Sequence, residues 1–179
     1  MDPIVEAALK KWPNVPHCYG WLALDARGDW YLRDEAVQRA GPFPSPKGSR
    51  IEHAKLKAFI ERNYEADAAG RWFFQNGPQR VYVQLEAAPW VWRVQWPTAP
   101  DGDAPTVTSH TGRAAVPRSC WLDDQGRIYL DTDIGFGIVH SQDMLDAAQA
   151  VEQGLWQPQP LDAAEAPARF GYQRDPAPD

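Results

Sequence analysis

The residues that could carry covalent or metal chemistry are two cysteines and four histidines in a chain of 179 residues. A nucleophilic thiol needs a histidine within hydrogen-bonding distance, and a structural zinc ion needs about four ligands in tetrahedral geometry. His17 and Cys18 are adjacent in sequence. The other candidates, which are far apart, are His53, His110, Cys120 and His140. Because no zinc or protease motif relates these positions, the sequence predicts no catalytic residue, no bound metal and no cofactor.

A second group of residues could bind a ligand without catalysis. Trp90, Trp92 and Trp96 alternate along one predicted strand, and alternate residues of a strand point to the same face. Such a face could stack a sugar, a base or another flat ligand, although an aromatic stripe more often packs in a core. Arg93 lies within the stripe and Glu86 lies shortly before it.

Two histidines complete the predicted ligand-binding set. His53 lies beside the apolar stripe of a predicted helix, where it is either a pocket histidine or a hydrogen-bonded histidine at the edge of the core. His140 directly precedes the residue that we expect to cap the last helix. The candidate ligand-binding residues are His53, Glu86, Trp90, Trp92, Arg93 and His140.

A third group is acidic and concentrates between residues 123 and 133. It consists of Asp123, Asp124, Asp131 and Asp133. These positions lack the alternating aspartates and the glycine of a calcium-binding loop. A solvated acidic edge, which also protects a sheet from pairing with another chain, is the commoner use of such a cluster.

Composition excludes several classes of protein. Hydrophobic residues make up 44% of the chain, so a folded domain is expected, and the formal charge of −6 argues against general binding to nucleic acid or to an anionic membrane. The strongest apolar stretch, at residues 87–92, is far too short to span a bilayer. The first residues show neither a basic region nor a long apolar region, so we expect no signal peptide, a cytoplasmic location and reduced thiols.

Three stretches that share one pattern must position these residues. An Asp opens a turn, a Gly follows three places later, and a run of large apolar residues leaves as a strand; the stretches are residues 25–32, 67–74 and 123–130. Asp can accept a hydrogen bond from the backbone N–H two residues on, and Gly takes the positive φ that lets the turn rejoin a hairpin. The pattern predicts three β-hairpins.

Helix signals lie between these hairpins. The Ser49-x-x-Glu52 spacing matches a capping box and predicts a helix with Leu56, Phe59 and Ile60 on its apolar stripe. Ser141 is expected to cap a last helix that ends at Gly154. Because the first and third hairpins are each followed by such a helix, the sequence suggests a hairpin–helix unit used twice; independent use of a common turn is the alternative.

The predicted fold is therefore of the α+β class: curled antiparallel sheets built from repeated D-x-x-G hairpins, with an amphipathic helix packed on each half. Residues 1–96 are expected to form the first half and residues 106–179 the second. Residues 97–105, rich in Pro, Asp and Gly, are the predicted linker.

The central part of the chain resembles a bacterial family of uncharacterised proteins. The matching elements are a G-x-W-Y hairpin, a helix, a D-x-x-G-x-aromatic hairpin and a Glu-x-Ala-Pro-aromatic-Val turn, at residues 28–31, 51–64, 67–74 and 86–91. An extra Ala in the turn and the Pro-rich loop at 41–48 depart from the pattern. The resemblance implies two related α+β halves and a signalling or ligand-sensing role, and it supplies no catalytic residue.

These observations lead to one functional hypothesis and two alternatives. We expect a non-catalytic cytoplasmic module that binds a small molecule or a protein partner in a groove between the two halves, and not nucleic acid or membrane. The first alternative is a small hydrolase that uses a Cys or His as nucleophile or base, which a lowered thiol pKa would favour. The second is a structural subunit with a large exposed apolar patch.

Overall fold

The structure is a computed structural model, which describes residues 1–98 and 103–179. The helices within the described residues are α1 (Pro3–Lys11), α2 (Glu35–Ala40), α3 (Ala54–Arg62), α4 (Met144–Glu152) and α5 (Ala166–Phe170). The strands there are β1 (Cys18–Leu24), β2 (Trp30–Leu32), β3 (Ser49–Arg50), β4 (Tyr64–Ala66), β5 (Trp72–Asn76), β6 (Gln79–Leu85), β7 (Trp90–Gln95), β8 (Thr106–Ser109), β9 (Ala114–Ala115), β10 (Pro117–Leu122), β11 (Ile128–Thr132), β12 (Gly135–Val139) and β13 (Pro158–Pro160).

The chain divides into two compact units. The first unit contains Met1–Asp25, Asp29–Glu86 and Gly171–Asp179, and the second contains Ala26–Gly28 and Ala87–Phe170. This division differs from the predicted halves 1–96 and 106–179, because β7 hydrogen-bonds to β12 and β8 in the second sheet and the last nine residues join the first unit. Of the predicted linker at 97–105, residues 99–102 lie outside the described residues.

The first unit is built on a six-stranded sheet in the order β3-β2-β1-β6-β5-β4. Helix α3 connects the two edge strands and buries Ile60, which is 2% exposed. Its neighbour Phe59 meets Phe74 of β5 edge to face, with ring centroids 5.5 Å apart. Trp30 of β2 is fully buried, and its indole N–H donates to Glu61 of the helix at 3.2 Å. The helix therefore contacts β2 and β5, one strand on each side of the central β1–β6 pair.

The second unit has a seven-stranded sheet in the order β13-β10-β11-β12-β7-β8-β9. Without β13, this is the same order as in the first unit. Each unit consists of two three-stranded meanders, and the first strand of the first meander pairs in parallel with the last strand of the second meander: β1 with β6, and β7 with β12. This order makes the β10–β11 hairpin the counterpart of β4–β5. The hairpin–helix repeat suggested by the sequence paired β10–β11 with β1–β2 instead.

The predicted α+β class is confirmed, and the two curled sheets are mixed rather than wholly antiparallel. Parallel pairing joins β1 with β6, β7 with β12 and β10 with β13. Sequence periodicity identified strands but could not assign their partners, because the strands of each parallel pair are separated by many residues.

The counterpart hairpins share one side-chain design. In the first unit, Asp67 Oδ1 accepts from the Arg71 N–H at 3.0 Å, and Oδ2 accepts from Arg71 Nε at 2.8 Å and from the Tyr82 hydroxyl at 3.1 Å. Gly70, at φ 78°, completes the turn. In the second unit Asp123, Gly126 and Arg127 make the same contacts, and the hydroxyl donor is Tyr129 of β11, within the hairpin itself, rather than a residue of a third strand.

Two predicted helix starts are wrong. Ser49 and Arg50 form β3 and pair with Leu32 and Tyr31 of β2, so Ser49-x-x-Glu52 is not a capping box. The strand continues because the buried Ile51 donates its N–H to Trp30. Helix α3 begins after His53 instead, and the last helical segment begins with a 3-10 turn (Ser141–Asp143) after His140.

Candidate functional site

The Pro-rich loop at residues 41–48 is held against the first sheet by a buried arginine. Arg33, which follows β2 and is 2% exposed, donates from Nη2 to the carbonyl oxygens of Gly41 and Pro46 at 2.7 and 3.1 Å. Its Nη1 donates to Oε1 of Gln84 on β6 at 2.8 Å. Because proline has no N–H, a loop with three prolines makes few hydrogen bonds of its own. The Arg33 guanidinium therefore fixes the loop to β6.

The loop returns to the sheet at a position that only glycine can occupy. Gly48 has φ 107°, and a Cβ built there would overlap the Leu32 carbonyl oxygen and lie 3.2 Å from Arg33 Cγ. The chain can thus pass directly over the arginine. Arg33 therefore fixes the position of the loop on the sheet, and Gly48 fixes where the chain leaves the loop and enters β3.

A shallow pocket of about 150 Å³ lies where this loop, the end of β6 and the C-terminal segment meet. We call it the Pro-loop pocket; its lining residues are Pro42, Phe43, Gln84, Leu85, Arg174 and Asp175. Gln84 donates from Nε2 to Asp175 Oδ1 at 2.8 Å, and Arg174 donates from Nε to the Leu85 carbonyl at 3.4 Å. The pocket therefore combines an aromatic wall with one cationic and one anionic side chain, all in the first unit.

A charged cluster continues from the pocket along the same sheet. Lys47 Nζ lies 3.0 Å from Asp25 Oδ2 and 3.6 Å from Glu86 Oε1, and the Tyr31 hydroxyl donates to Asp25 at 3.2 Å. Arg174 Nη2 donates to the Glu86 carbonyl oxygen, which joins this cluster to the pocket. Glu86, one of the predicted ligand-binding residues, thus borders the site.

The electrostatics of this region follow from burial and from the paired charges. Burial alone would lower the pKa of the Lys47 ammonium, but the hydrogen bond to Asp25 and the charges of Asp25 and Glu86 raise it above its ordinary value. Burial, together with the Asp25 charge, raises the pKa of Tyr31. Lys47 is therefore cationic and Tyr31 neutral at neutral pH, so neither group offers a base there.

The two predicted histidines both cap helical segments. His53 is exposed, and its Nδ1 accepts from the Leu56 N–H at 3.2 Å at the start of α3. His140 is 5% exposed, and its Nδ1 accepts from the Gln142 N–H at 3.0 Å. An imidazole nitrogen thus takes the place that a Ser, Thr or Asp oxygen commonly holds. The two histidines belong to different units, and neither lines the Pro-loop pocket.

The predicted tryptophan face is buried in the core of the second unit. Trp90 and Trp92 are 1% and 0% exposed, and their rings stack with centroids 6.1 Å apart. Their indole N–H groups donate to the carbonyl oxygens of Ile134 and Leu130 at 2.9 and 3.1 Å. Both rings are thus enclosed by protein, which agrees with packing in the core rather than with an exposed stacking platform.

Arg93, the remaining predicted residue, belongs to an ion pair in the second unit. Its Nε donates to Asp143 Oδ2 at 2.7 Å, and the same oxygen accepts from the Val94 N–H at 3.0 Å. Burial alone would raise the pKa of Asp143, but these two donors lower it. The pair fastens the 3-10 turn that precedes α4 to β7 and gives Arg93 a structural role.

The two cysteines are poor nucleophiles. Cys120 of β10 is 3% exposed, and burial raises its pKa to about 11. Burial also raises the pKa of Cys18 of β1. Both thiols are free. Since the thiolate is the reactive form, these shifts reduce the nucleophilicity of both side chains at neutral pH.

Two larger depressions flank β13 in the second unit, with volumes of about 710 and 310 Å³. Three of their polar lining residues make local contacts: Asp123 belongs to its hairpin turn, Asp162 accepts from the Ala164 N–H at 3.0 Å, and the Ser119 hydroxyl accepts from the Trp121 indole at 2.9 Å. The charged residues of the first depression are all acidic and the charged residue of the second is Arg118. The smaller Pro-loop pocket is the better candidate because its walls carry a charge of each sign.

Within residues 1–98 and 103–179, no group of three or more His, Cys, Asp and Glu side chains is placed to hold a metal ion. In the same residues, no helix has the length and apolar character needed to cross a membrane.

Sequence reasoning missed most of this site. Arg33, Gln84, Arg174 and Asp175 belong to no motif, and the stretch that contains Lys47 indicates only a loop. One signal was present: a loop with three prolines leaves carbonyl oxygens that need donors from elsewhere, and arginine supplies several. Which arginine does so depends on the fold.

Comparisons with known proteins concern family and fold. A family model, DUF2944, described as "Protein of unknown function (DUF2946)", matches residues 1–177, and none of the curated proteins matches the chain. A solved structure of a DUF1285 family protein from Silicibacter pomeroyi DSS-3 is similar, with a TM-score of 0.52 and 14% identity over 85% of this chain and 84% of that one. For a DUF1285 family protein from Shewanella baltica OS155 the TM-score is 0.48, with 17% identity over 74% of this chain and 91% of that one.

Proposed function

Because this chain belongs to the DUF2944 family of proteins of unknown function, we propose its function from its own site: it is a non-catalytic binding protein for a small zwitterion, bound in the Pro-loop pocket. The observation that carries the proposal is the pocket lining, which contains the oppositely charged residues Arg174 and Asp175 together with the aromatic Phe43. The rest of the wall is pre-organised by Arg33, whose guanidinium joins the loop to Gln84. Pre-organised polar groups are typical of ligand sites.

The volume of the pocket limits the ligand. A cavity of about 150 Å³ equals about five water molecules at their liquid volume of roughly 30 Å³ each. It is smaller than the pockets of about 300–1,000 Å³ that hold drug-sized molecules. A free amino acid with a short side chain is of this size.

The charges of the pocket limit the ligand further. Arg174 and Asp175 contribute one charge of each sign, so the lining has no net formal charge. A ligand with a single charge would pair with the oppositely charged residue of the two and would be repelled by the other residue, whose charge has the same sign as its own. A molecule with both an ammonium and a carboxylate group can pair with both, through charge-assisted hydrogen bonds.

The proposal is tested by titrating the protein with glycine, alanine and serine while amide chemical shifts are recorded by NMR. Acetate and methylamine, which each carry one charge, are the comparison ligands. We expect the zwitterions to shift the amides of Phe43, Gln84 and Leu85, which line the pocket, and to bind more tightly than either comparison ligand. Equal responses to acetate and to glycine, or shifts confined to other parts of the chain, would contradict the proposed site.

Variants sharpen this test. Asp175→Asn keeps an oxygen that can accept from Gln84 but removes the negative charge, and Arg174→Gln removes the positive charge. Each should weaken glycine binding by about tenfold, which corresponds to one charge-assisted hydrogen bond. Arg39→Gln is the matched control, because Arg39 lies on α2 of the same unit with its side chain 77% exposed. It should leave binding unchanged.

Other parts of the functional hypothesis stay predictions. A signalling or sensing role and a cytoplasmic location are expectations from the resemblance and from the composition. The groove between the two halves that the sequence led us to expect also stays a prediction, and the site proposed here lies within the first unit. The raised pKa values of Cys18 and Cys120 argue against the alternative of a cysteine hydrolase.

A further inference from the structure

The C-terminal segment, residues 171–179, is a strap that lies on the first unit. Its backbone joins two parts of the first unit. Gln173 donates its N–H to the Gly70 carbonyl oxygen at 2.9 Å, and the Arg174 carbonyl oxygen accepts from the Leu85 N–H at 2.8 Å. Farther along, Arg71 Nη1 donates to Asp179 Oδ1 at 3.1 Å. The segment thus leaves the β4–β5 turn, passes the end of β6 and returns to Arg71 of the same turn.

The contacts of this strap are mainly polar and lie at the surface. Of its nine residues, only Tyr172 and Pro176 are buried, while Gln173, Arg174 and Asp175 are exposed. The Asp179 side chain is 95% exposed, so water screens its ion pair with Arg71. Segments that bury little apolar surface and rely on exposed hydrogen bonds open at lower free energy than the core. Beyond Tyr172 the strap buries only Pro176 and otherwise has these properties.

The same strap supplies both charged walls of the Pro-loop pocket, Arg174 and Asp175. We propose that the part of the strap beyond Tyr172, residues 173–179, is a displaceable wall of this pocket, so that docking of this part and binding of the ligand stabilise one another. This inference rests on the proposed function. A ligand that contacts Arg174 and Asp175 binds only the docked state well, and by linkage it must favour docking by the same factor.

The first test needs no ligand and uses hydrogen exchange on the full chain. The amides of Gln173 and Leu85 report on the strap, because each takes part in one of its backbone hydrogen bonds. We expect both amides to exchange faster than the buried amides of β5, through one shared opening. Asp175→Ala removes the bond to Gln84 Nε2 and should speed exchange at both amides by about fivefold, the equilibrium change for one typical hydrogen bond.

A matched control separates this effect from general destabilisation. Asp162→Ala removes another exposed aspartate that makes a single local bond, to the Ala164 N–H in the second unit. It should leave the Gln173 and Leu85 amides unchanged. If both amides instead exchange as slowly as those of β5 and do not respond to Asp175→Ala, the strap is a fixed part of the fold and the proposal is refuted.

The second test adds glycine as the probe. We expect glycine to slow exchange at Gln173 and Leu85 in proportion to its occupancy of the pocket. Glycine that binds, as shown by a shift of the Phe43 amide, without slowing these amides would refute the coupling but not the binding. Absence of glycine binding together with a mobile strap would overturn the proposed function, and would remove the coupling with it.

Discussion

Replacing Gly70 by alanine should release the C-terminal strap, and the size of the effect can be worked out from two control glycines. Gly70 and Gly126 both have φ 78° and occupy the same place in counterpart turns. An alanine in this left-handed region costs roughly 1–2 kcal/mol at either position. At Gly126 a Cβ would meet no atom within 4 Å, so this backbone term should be the whole effect.

At Gly70 the surroundings add a second term. A Cβ there would overlap the Gly171 carbonyl oxygen and lie 3.1 Å from Tyr172 Cα. These are backbone atoms, so no change of rotamer relieves the overlap and the strap itself must shift. The Gln173 N–H bond to Gly70 and the neighbouring Gln173 bond to Ala69 would then be lost. At about 1 kcal/mol for each hydrogen bond, Gly70→Ala should cost about 2 kcal/mol more than Gly126→Ala.

Urea denaturation of the wild type, Gly70→Ala and Gly126→Ala, followed by tryptophan fluorescence, measures these free energies of unfolding. Hydrogen exchange then locates the change, which should appear at Leu85 and Gln173 in Gly70→Ala only. Gly77→Ala is the control within the first unit, since Gly77 has a positive φ and a Cβ there would meet no atom within 4 Å. Equal costs for Gly70→Ala and Gly126→Ala, with unchanged exchange in the strap, would refute the reasoning.

Three further predictions concern single side chains. Arg33→Lys should destabilise the first unit by about 2–4 kcal/mol and speed hydrogen exchange in the Pro-rich loop, because an ammonium cannot reproduce the forked hydrogen bonds of the guanidinium to the loop and to Gln84. Thermal unfolding measures the loss of stability, and a neutral result would contradict the role of Arg33. Burial alone would raise the pKa of Asp67 and Asp123, but hydrogen bonds from Arg71 and Arg127 lower it. The stabilisation from these two carboxylates should therefore be complete above about pH 4, which is the pKa of an aspartate in the unfolded chain. It should be lost as the pH falls through the lower pKa of the folded state. Acid titration of the wild type and of Asp123→Asn tests this, because the stability of the variant should depend less on pH in the acid range. With a pKa of about 11, Cys120 is about 0.1% thiolate at pH 8 and should react with a disulfide reagent only on unfolding; rapid labelling of the folded protein would contradict this.

The sequence was most informative where structure is set by neighbours along the chain. The Asp and Gly of each D-x-x-G turn, at positions such as Asp67 and Gly70, satisfy local backbone groups, so their spacing alone indicated a reversal of the chain. The alternation of Val81, Val83 and Leu85 likewise indicated a strand. The start of α3 was missed because Ser49 can cap a helix or extend a strand equally well, and pairing with β2 decided the outcome.

The site was beyond the sequence for a different reason. Of the predicted ligand-binding residues, Glu86 borders the Pro-loop pocket, whereas Trp90 and Trp92 are buried and Arg93 pairs with Asp143. A tryptophan stripe has the same spacing whether it faces a core or a cleft, so only the packing around it distinguishes the two.

By itself, then, the sequence determined the α+β class, the positions of the tight turns and the absence of a recognisable catalytic motif. All of these depend on residues within a few places of one another. The tertiary structure alone decided the parallel pairing of first and last strands, the return of residues 171–179 to the first unit and the meeting of Arg33 with the Pro-rich loop. Such contacts join residues far apart in the chain, and their free energy depends on which groups the fold buries together.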